Sequence, residues 1–306
     1  MSKKTELEIG GRKLTVSNLE KVLYPEAGFT KGQVIDYYIR IAHVLLPHLK
    51  NRPITLKRYP EGVDGFFFYE KQCPSHRPAW MKTTEVPSQR DAGKIDYCLM
   101  NDLPALVWAA NLADLELHTF LHRAPAITRP TALAFDLDPG APADIVQCCE
   151  VGLWLRAIFD ELGLQSFPKT SGSKGLQIFV PLNTATTYEK TKPFAHALAE
   201  RVEREHPAQV VSRMQKALRK GKVLIDWSQN DEHKTTVNVY SLRAKSRPTV
   251  STPVTWKEVE TVVKKRDGSG LVFESEAVVR RVEKLGDLFE PLLTLKQRLP
   301  GLKAVA

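Results

Sequence analysis

Ala132-Leu133-Ala134-Phe135-Asp136-Leu137-Asp138-Pro139-Gly140 is a short apolar strand that carries two aspartates and stops at Pro139-Gly140. Side chains two apart on a strand leave the same face, so Asp136 and Asp138 can jointly grip hard divalent cations through oxygen. That spacing suits two-metal chemistry, in which one ion lowers the pKa of an attacking hydroxyl and the other holds a triphosphate and its leaving pyrophosphate. A third carboxylate is then expected on a neighbouring strand. Asp226, after the apolar Val223-Leu224-Ile225, fits it. Taken alone, Asp-x-Asp is equally the plain end of a strand before a proline.

Downstream, Phe167 begins a strand, Thr170-Ser171-Gly172-Ser173-Lys174-Gly175 a turn, and Leu176-Gln177-Ile178-Phe179-Val180 the return strand. Glycines in the turn let backbone N–H groups approach an anion while two hydroxyls and a lysine add donors, so the turn can cradle a triphosphate. It is not a P-loop, because the G-x-x-x-x-G-K-[ST] spacing is missing and a strand follows. An ordinary solvated hairpin turn has the same composition. Leu176 and Ile178 are apolar, which puts Gln177 and Phe179 on the opposite face of the return strand.

Around this centre the pattern alternates between helix and strand periods. Leu7 to Val16 reads as a hairpin at Gly10-Gly11, and Ser17-Asn18-Leu19-Glu20 as a helix cap. Thr30 caps an amphipathic helix to Leu49, and Pro53 to Tyr59 is a strand. The spacing predicts further helices over Leu103–Leu121, Ala143–Leu162 and Tyr188–His206, and a strand at Thr236–Tyr240. A linker is expected near Arg266-Asp267-Gly268-Ser269-Gly270. Mixed elements without strict βαβ alternation indicate an α+β architecture with a mixed or antiparallel sheet core and flanking helices.

The chain has 306 residues, 42% hydrophobic and 26% charged, enough for a sizeable core in one large domain or two lobes. No apolar run approaches the roughly 18 residues of a membrane span, and the first residues lack the apolar core of a secretory signal, so a soluble, cytoplasmic, nucleoid-associated protein is expected. The irregularly spaced Cys73, Cys98, Cys148 and Cys149 read as reduced thiols. A net charge of +9 favours a polyanionic partner, although many basic proteins bind no nucleic acid.

Asp136-Leu137-Asp138-Pro139, the Ser171 to Leu176 turn and Asp226-Trp227-Ser228-Gln229-Asn230, in that order and at these separations, resemble the polymerase domain of bacterial ligase D. This is the primase-polymerase module of non-homologous end joining, in the archaeo-eukaryotic primase superfamily. The likeness extends to Asn18 through Pro25, Arg52-Pro53 with Lys57-Arg58, Gly62-Val63-Asp64-Gly65, and Asn111-Leu112 through Glu116-Leu117-His118. It covers nearly the whole chain and implies one primase-polymerase catalytic domain over 1–306, with two lobes, about 1–60 and 61–306, as its internal division.

The resemblance implies that Asp136, Asp138 and Asp226 are catalytic metal ligands, with Asp226 helping to activate the primer hydroxyl. Ser171, Ser173, Lys174 and Gly175 match the triphosphate-binding turn. His118 and Arg243 match the nucleotide pocket, and Lys57 and Arg58 fall on a basic strand facing it. Lys21 and Lys31 match lysines that bind a 5′-phosphate, a role suited to a compact point charge. Phe66 and Phe67 lie where the family stacks aromatics on the template, and one or two of the four consecutive aromatics are expected to be exposed. Arg219 and Lys220 match a mobile loop that positions the template or incoming nucleotide. One departure is Gln177, where the family commonly has histidine; the amide can still donate a hydrogen bond to a nucleotide but carries no charge.

The implied activity is nucleotidyl transfer to a primer 3′-hydroxyl at gaps and DNA ends, favouring ribonucleoside triphosphates and using two Mn²⁺ or Mg²⁺ ions. DNA ends and gapped DNA with a 5′-phosphate are the implied partners, with the action of Ku and an ATP-dependent ligase in trans left open. The alternatives are a primase that starts strands de novo and an end-binding or bridging module. Lys265-Arg266-Asp267-Gly268 matches a ligase K-x-D-G motif in letters only, since no room for a ligase fold follows; a stand-alone polymerase or an excised domain is expected.

Overall fold

A computed structural model describes residues 4–88 and 93–305. The chain divides into two compact units. One comprises Met1–Pro125, Thr235–Ser251 and Glu274–Gly286; the other comprises Ala126–Lys234, Thr252–Phe273 and Asp287–Ala306. Residue 60, the expected border between lobes, falls inside the first unit.

In the first unit the central strand Pro53–Arg58 pairs antiparallel with Asp114–Thr119, Lys94–Leu99 and Phe68–Glu70. Thr83–Pro87 and Thr236–Val237 extend this sheet at its two ends. Helix Lys31–Leu49 starts at Thr30, whose hydroxyl accepts from Gln33 N while the Gln33 side chain accepts from Thr30 N. This reciprocal cap satisfies two backbone donors that the helix itself leaves without partners. The helix buries Val34, Tyr38, Ile41 and Leu45, and Tyr38 Oη donates to Leu115 O at 2.7 Å, tying helix to sheet.

Three readings of this unit are corrected. The expected helix over Leu103–Leu121 ends at Asn111, and Asp114–Thr119 is a strand that contains His118. Ala113 turns the chain at φ 58°, after which Leu115 and Leu117 alternate into the core, a period of two that a helical reading of the leucines conceals. No helix follows Ser17: Asn18 adopts φ 54° and the chain continues into strand Val22–Tyr24. Cys73 and Cys98 form a disulfide, whereas Cys148 and Cys149 are free and buried as expected. A Cys73 N to Asp96 O bond of 2.7 Å brings the loop beside the strand that carries Cys98.

The second unit is built on a five-stranded sheet in the order Phe167–Thr170, Leu176–Pro181, Ala132–Pro139, Val223–Asp226, Val210–Val211. All its pairings are antiparallel except the last. Leu133, Phe135 and Leu137 project from one face of the middle strand into a core shared with Ile178, Ile225 and residues of helices Ile145–Glu161 and Tyr188–Glu205. Alternation then turns Asp136 and Asp138 to the other face. The expected linker at 266–270 is instead packed structure: Arg266 pairs with Glu150, and Gly268 sits so close to Ile145 that a Cβ there would clash.

Thr30→Ala should lower stability by about 0.5–2 kcal/mol through loss of the cap. Chemical denaturation would read it, and an unchanged midpoint would mean that the cap contributes nothing.

Candidate active site

Asp136 stands where two antiparallel pairings meet, directly opposite Gln177 on one side and Asp226 on the other. Residues so opposed bring their Cβ atoms to about 4.5–5.5 Å. Lys169 lies opposite Gln177 on the next strand, fully buried, and its Nζ donates to Gln177 Oε1. The amide of Gln177 in turn hydrogen-bonds Asp136, so Lys169, Gln177 and Asp136 form one line across three strands. Burial and then the Asp138 charge push Asp136 up to about 7, against the Gln177 hydrogen bond and the Lys169 charge, while Asp226 adds to the rise. Asp136 Oδ1 is buried with no hydrogen-bond partner among the described residues.

Clustered carboxylates with an orphaned buried oxygen constitute an electrostatic demand for a cation, and an all-oxygen donor set fits Mg²⁺ or Mn²⁺. Among the described residues no three acidic, histidine or cysteine side chains already form an ion-holding group. Asp226 is engaged locally. Its Oδ1 accepts from Ser228 N at 2.9 Å and Ser228 Oγ at 2.5 Å, and its Oδ2 from Gln229 Nε2 at 3.0 Å, because it caps the short helix Trp227–Gln229. These three bonds leave Asp226 lone-pair capacity for a cation.

The Ser171–Gly175 turn is tied to the same strand. A Cβ on Gly175 would clash with the Leu137 carbonyl, so only glycine lets the turn lie against the backbone between the two aspartates. Ser171 Oγ accepts from Ser173 N at 3.2 Å and Gly175 N at 3.1 Å, and Ser171 N donates to Gly175 O at 2.9 Å. Ser171 thus closes the turn from inside, while Ser173 and Lys174 are exposed. Gly140 N donates to Lys222 O and Gly221 N to Gly140 O, which anchors the loop carrying Arg219 and Lys220 at the end of the aspartate strand. Arg219 Nη2 donates to Met214 O at 2.6 Å within that loop.

In the first unit Glu116 gathers Lys57, His118 and Arg243. Its Oε2 lies 3.2 Å from Lys57 Nζ and 3.0 Å from His118 Nε2, and its Oε1 lies 3.4 Å from Arg243 Nε. Burial would raise Glu116, but the His118 hydrogen bond and the charges of Arg243, His118 and Lys57 outweigh it and hold the carboxyl well below its usual range. Burial lowers His118, against its bond to Glu116. Arg58 is not in this group: it pairs with Glu70 at 2.7 Å and donates to Leu112 O, since consecutive strand residues leave opposite faces. Lys57 and Arg58, neighbours on the basic strand, therefore have different partners.

Phe66, Phe67 and Tyr69 are 66%, 46% and 56% exposed, so three of the four aromatics face solvent where one or two were expected. Phe66–Phe67 precede strand Phe68–Glu70 rather than lying within a strand buried on both faces. Lys21 is exposed, whereas Lys31 is buried and donates to Ser17 O at 2.7 Å. Burial, with the charges of Lys21 and Arg58 acting in the same direction, lowers Lys31 to about 8. Lys169 and Glu116 were not singled out from sequence. The Glu-x-His spacing on one strand and the lysine two residues before Ser171 were the available signals.

Acidic residues on adjacent antiparallel strands thus lie beside a glycine turn bearing hydroxyls and a lysine. The chain belongs to the LigD primase-polymerase domain family, whose model matches residues 30–289. It is 38% identical over 286 residues to the multifunctional non-homologous end joining protein LigD of Mycolicibacterium smegmatis, covering 92% of this chain and 36% of that protein. It is 31% identical over 275 residues to the bifunctional non-homologous end joining protein LigD of Bacillus subtilis, covering 90% of this chain and 43% of that protein. The polymerase domain of Mycobacterium tuberculosis ligase D in complex with DNA superposes with a TM-score of 0.86 at 38% identity, covering 93% of this chain and 99% of that one. The chain thus spans well under half the length of these curated relatives.

Gly175→Ala should force the turn off the Leu137 carbonyl and reduce nucleotide addition roughly hundredfold, the effect of displacing a binding group by about 1 Å. Primer extension would measure it, and wild-type rates would remove the turn from the site.

Proposed function

We propose that this chain is an end-joining repair polymerase that adds nucleotides, ribonucleotides in preference, to primer 3′-hydroxyls at gaps and broken DNA ends. The observation that carries the reading is Asp136, opposite Asp226, two residues from Asp138, and holding a buried oxygen without a partner. In this reading Asp136, Asp138 and Asp226 hold Mn²⁺ or Mg²⁺, which when bound supply positive charge to the hydroxyl and to the triphosphate. Asp226 is the group closest in role to a proton acceptor for the primer hydroxyl. Ser173, Lys174 and the Gly175 backbone bind the triphosphate, with Ser171 holding the turn in shape. Gln177 orients Asp136 and contributes an uncharged donor toward the nucleotide.

Lys57, His118 and Arg243 bind the nucleotide, and Glu116 positions all three; Arg58 contributes charge from the other face of its strand. Exposed Phe66 and Phe67 stack on template bases, and Arg219 and Lys220 contact the template strand or incoming nucleotide. Lys21 and Lys31 take a 5′-phosphate across the gap. That Lys21 and Arg58 both depress Lys31 supports a local excess of positive charge awaiting an anion. A Ku protein at the ends and an ATP-dependent ligase in trans are the partners that fit this role, which belongs with the chromosome in the cytoplasm.

Extension of a gapped substrate, with each nucleotide type and each metal, tests the reading. Asp136→Ala and Asp138→Ala should each abolish addition while leaving DNA affinity within about threefold, because the basic surface supplies affinity. Substantial extension by both variants would sink the metal assignment, and dinucleotide synthesis without a primer would indicate a primase instead.

Lys31 gives a pH test. Its folded pKa of about 8 lies below the ordinary 10.5, so the ammonium is lost as pH rises through 8. Preference for a 5′-phosphorylated gap should therefore fade between pH 7 and roughly 9, while Lys31→Arg keeps it, arginine staying charged. A preference that is flat with pH in the unmutated protein would exclude Lys31 as the phosphate ligand.

A further inference from the structure

The second unit contains a cavity of about 940 Å³ between the start of helix Tyr188–Glu205 and the segment 296–302, lined by none of the residues assigned above. Its size is that of a small-molecule site, for which volumes of roughly 300–1,000 Å³ are usual. Gln297, between two of the lining residues, pins the segment that forms one wall. Its N donates to Leu182 O, its Nε2 to Gln165 O and Pro181 O, and its Oε1 and O accept from Gln165 N and Thr184 Oγ1. Pinned in this way, Gln297 leaves its two neighbours, Lys296 and Arg298, exposed on the cavity wall. Lys190, from the first turn of the helix, also lines the cavity. None of these three cations is paired with a carboxylate among the described residues, and Glu189 is the one acidic side chain in the lining.

Two observations at the helix start point to an anion. The cap residue Thr187 makes no side-chain capping bond, so the positive end of an 18-residue helix lacks its usual oxygen acceptor. Thr186, which lines the cavity and is only 6% exposed, has a hydroxyl with no partner among the described residues. A buried hydroxyl without a partner is destabilising, a penalty that an acceptor reached by side-chain rotation would remove. Pro193, Phe194, Leu299 and Pro300 give the rest of the lining an apolar character. A lining that combines three cations and a helix start with apolar side chains matches a phosphate ester carried on a flat, weakly polar body.

We propose that this cavity binds a nucleotide at a site separate from the polymerase centre, with phosphate on Lys190, Lys296, Arg298 and the helix start, and the base against the apolar wall. The inference does not rest on the assignment of the carboxylates. The test uses ATP and, separately, inorganic pyrophosphate in the presence of EDTA, followed by amide shifts of the isotope-labelled full chain. ATP should shift the amides of 186–190 and 296–298 saturably, and pyrophosphate should do so with weaker affinity. A Lys296→Glu, Arg298→Glu variant should bind ATP there about tenfold or more weakly, as expected for lost charge-assisted hydrogen bonds. Thr186→Val removes a hydroxyl that has no partner, so its melting temperature should not fall while its ATP affinity does.

Three outcomes would overturn the proposal. One is the absence of saturable shifts at these amides, or shifts unchanged by the charge reversals. A second is pyrophosphate binding as tightly as ATP, which would show that the nucleoside is not read. The third is displacement of ATP from these amides by a short single-stranded oligodeoxynucleotide at lower concentration, which would make the cavity part of a polynucleotide track. Polymerase failure with these cavity shifts intact would count against the function proposed above and leave this site standing.

Discussion

The register that sets Asp136 against Gln177 on one strand and Asp226 on the other is the constraint on which the second unit depends. A slip of one residue in either pairing would turn Leu137 toward the acidic face and Asp136 into the core. The apolar face prevents that slip: Leu133, Phe135, Leu137, Ile178 and Ile225 are all completely buried. Hydrophobic burial thereby holds together carboxylates that repel one another. Burial first, then the Asp138 and Asp226 charges, shift Asp136 upward, and the Gln177 hydrogen bond and the buried Lys169 partly offset the rise. An acidic cluster left short of compensation in this way is a site prepared for positive charge.

The same device appears with opposite sign in the first unit. Glu116 is almost completely buried, yet stays ionised because Lys57, His118 and Arg243 converge on it. One carboxylate orients three donors, and loss of that carboxylate would leave buried cations facing one another, a situation that commonly costs about 3–5 kcal/mol. In the second unit Lys169 supplies a buried cation beside Gln177, whose neutral amide bridges it to Asp136.

Backbone contacts, rather than side chains alone, connect the Ser171–Gly175 turn to the aspartate strand. Gly175 rests on the Leu137 carbonyl, and Gly140 exchanges hydrogen bonds with the loop that carries Arg219 and Lys220. Movement of either segment is therefore felt at the aspartate strand. Gln297 plays a comparable part at the far end of its segment, where five hydrogen bonds fix the backbone and leave the flanking cations exposed.

The amino-acid sequence by itself determined the aspartate strand, the glycine turn, the caps at Thr30 and the helices after Pro139 and before His206, because period, capping chemistry and turn residues act over a few neighbours. It misread 112–119, where a left-handed Ala113 converts a run of leucines from helix to strand, and it missed the Cys73–Cys98 pair, whose partners are brought together by the sheet. Lys57 and Arg58 looked equivalent as letters, and only their strand partners separated them. Tertiary structure alone decided that Lys57 and Arg243 converge on Glu116 and that Lys31 is buried, since the charges that meet at Glu116 come from residues tens to more than a hundred positions away. The Asp226 cap, by contrast, is local, made with Ser228 and Gln229.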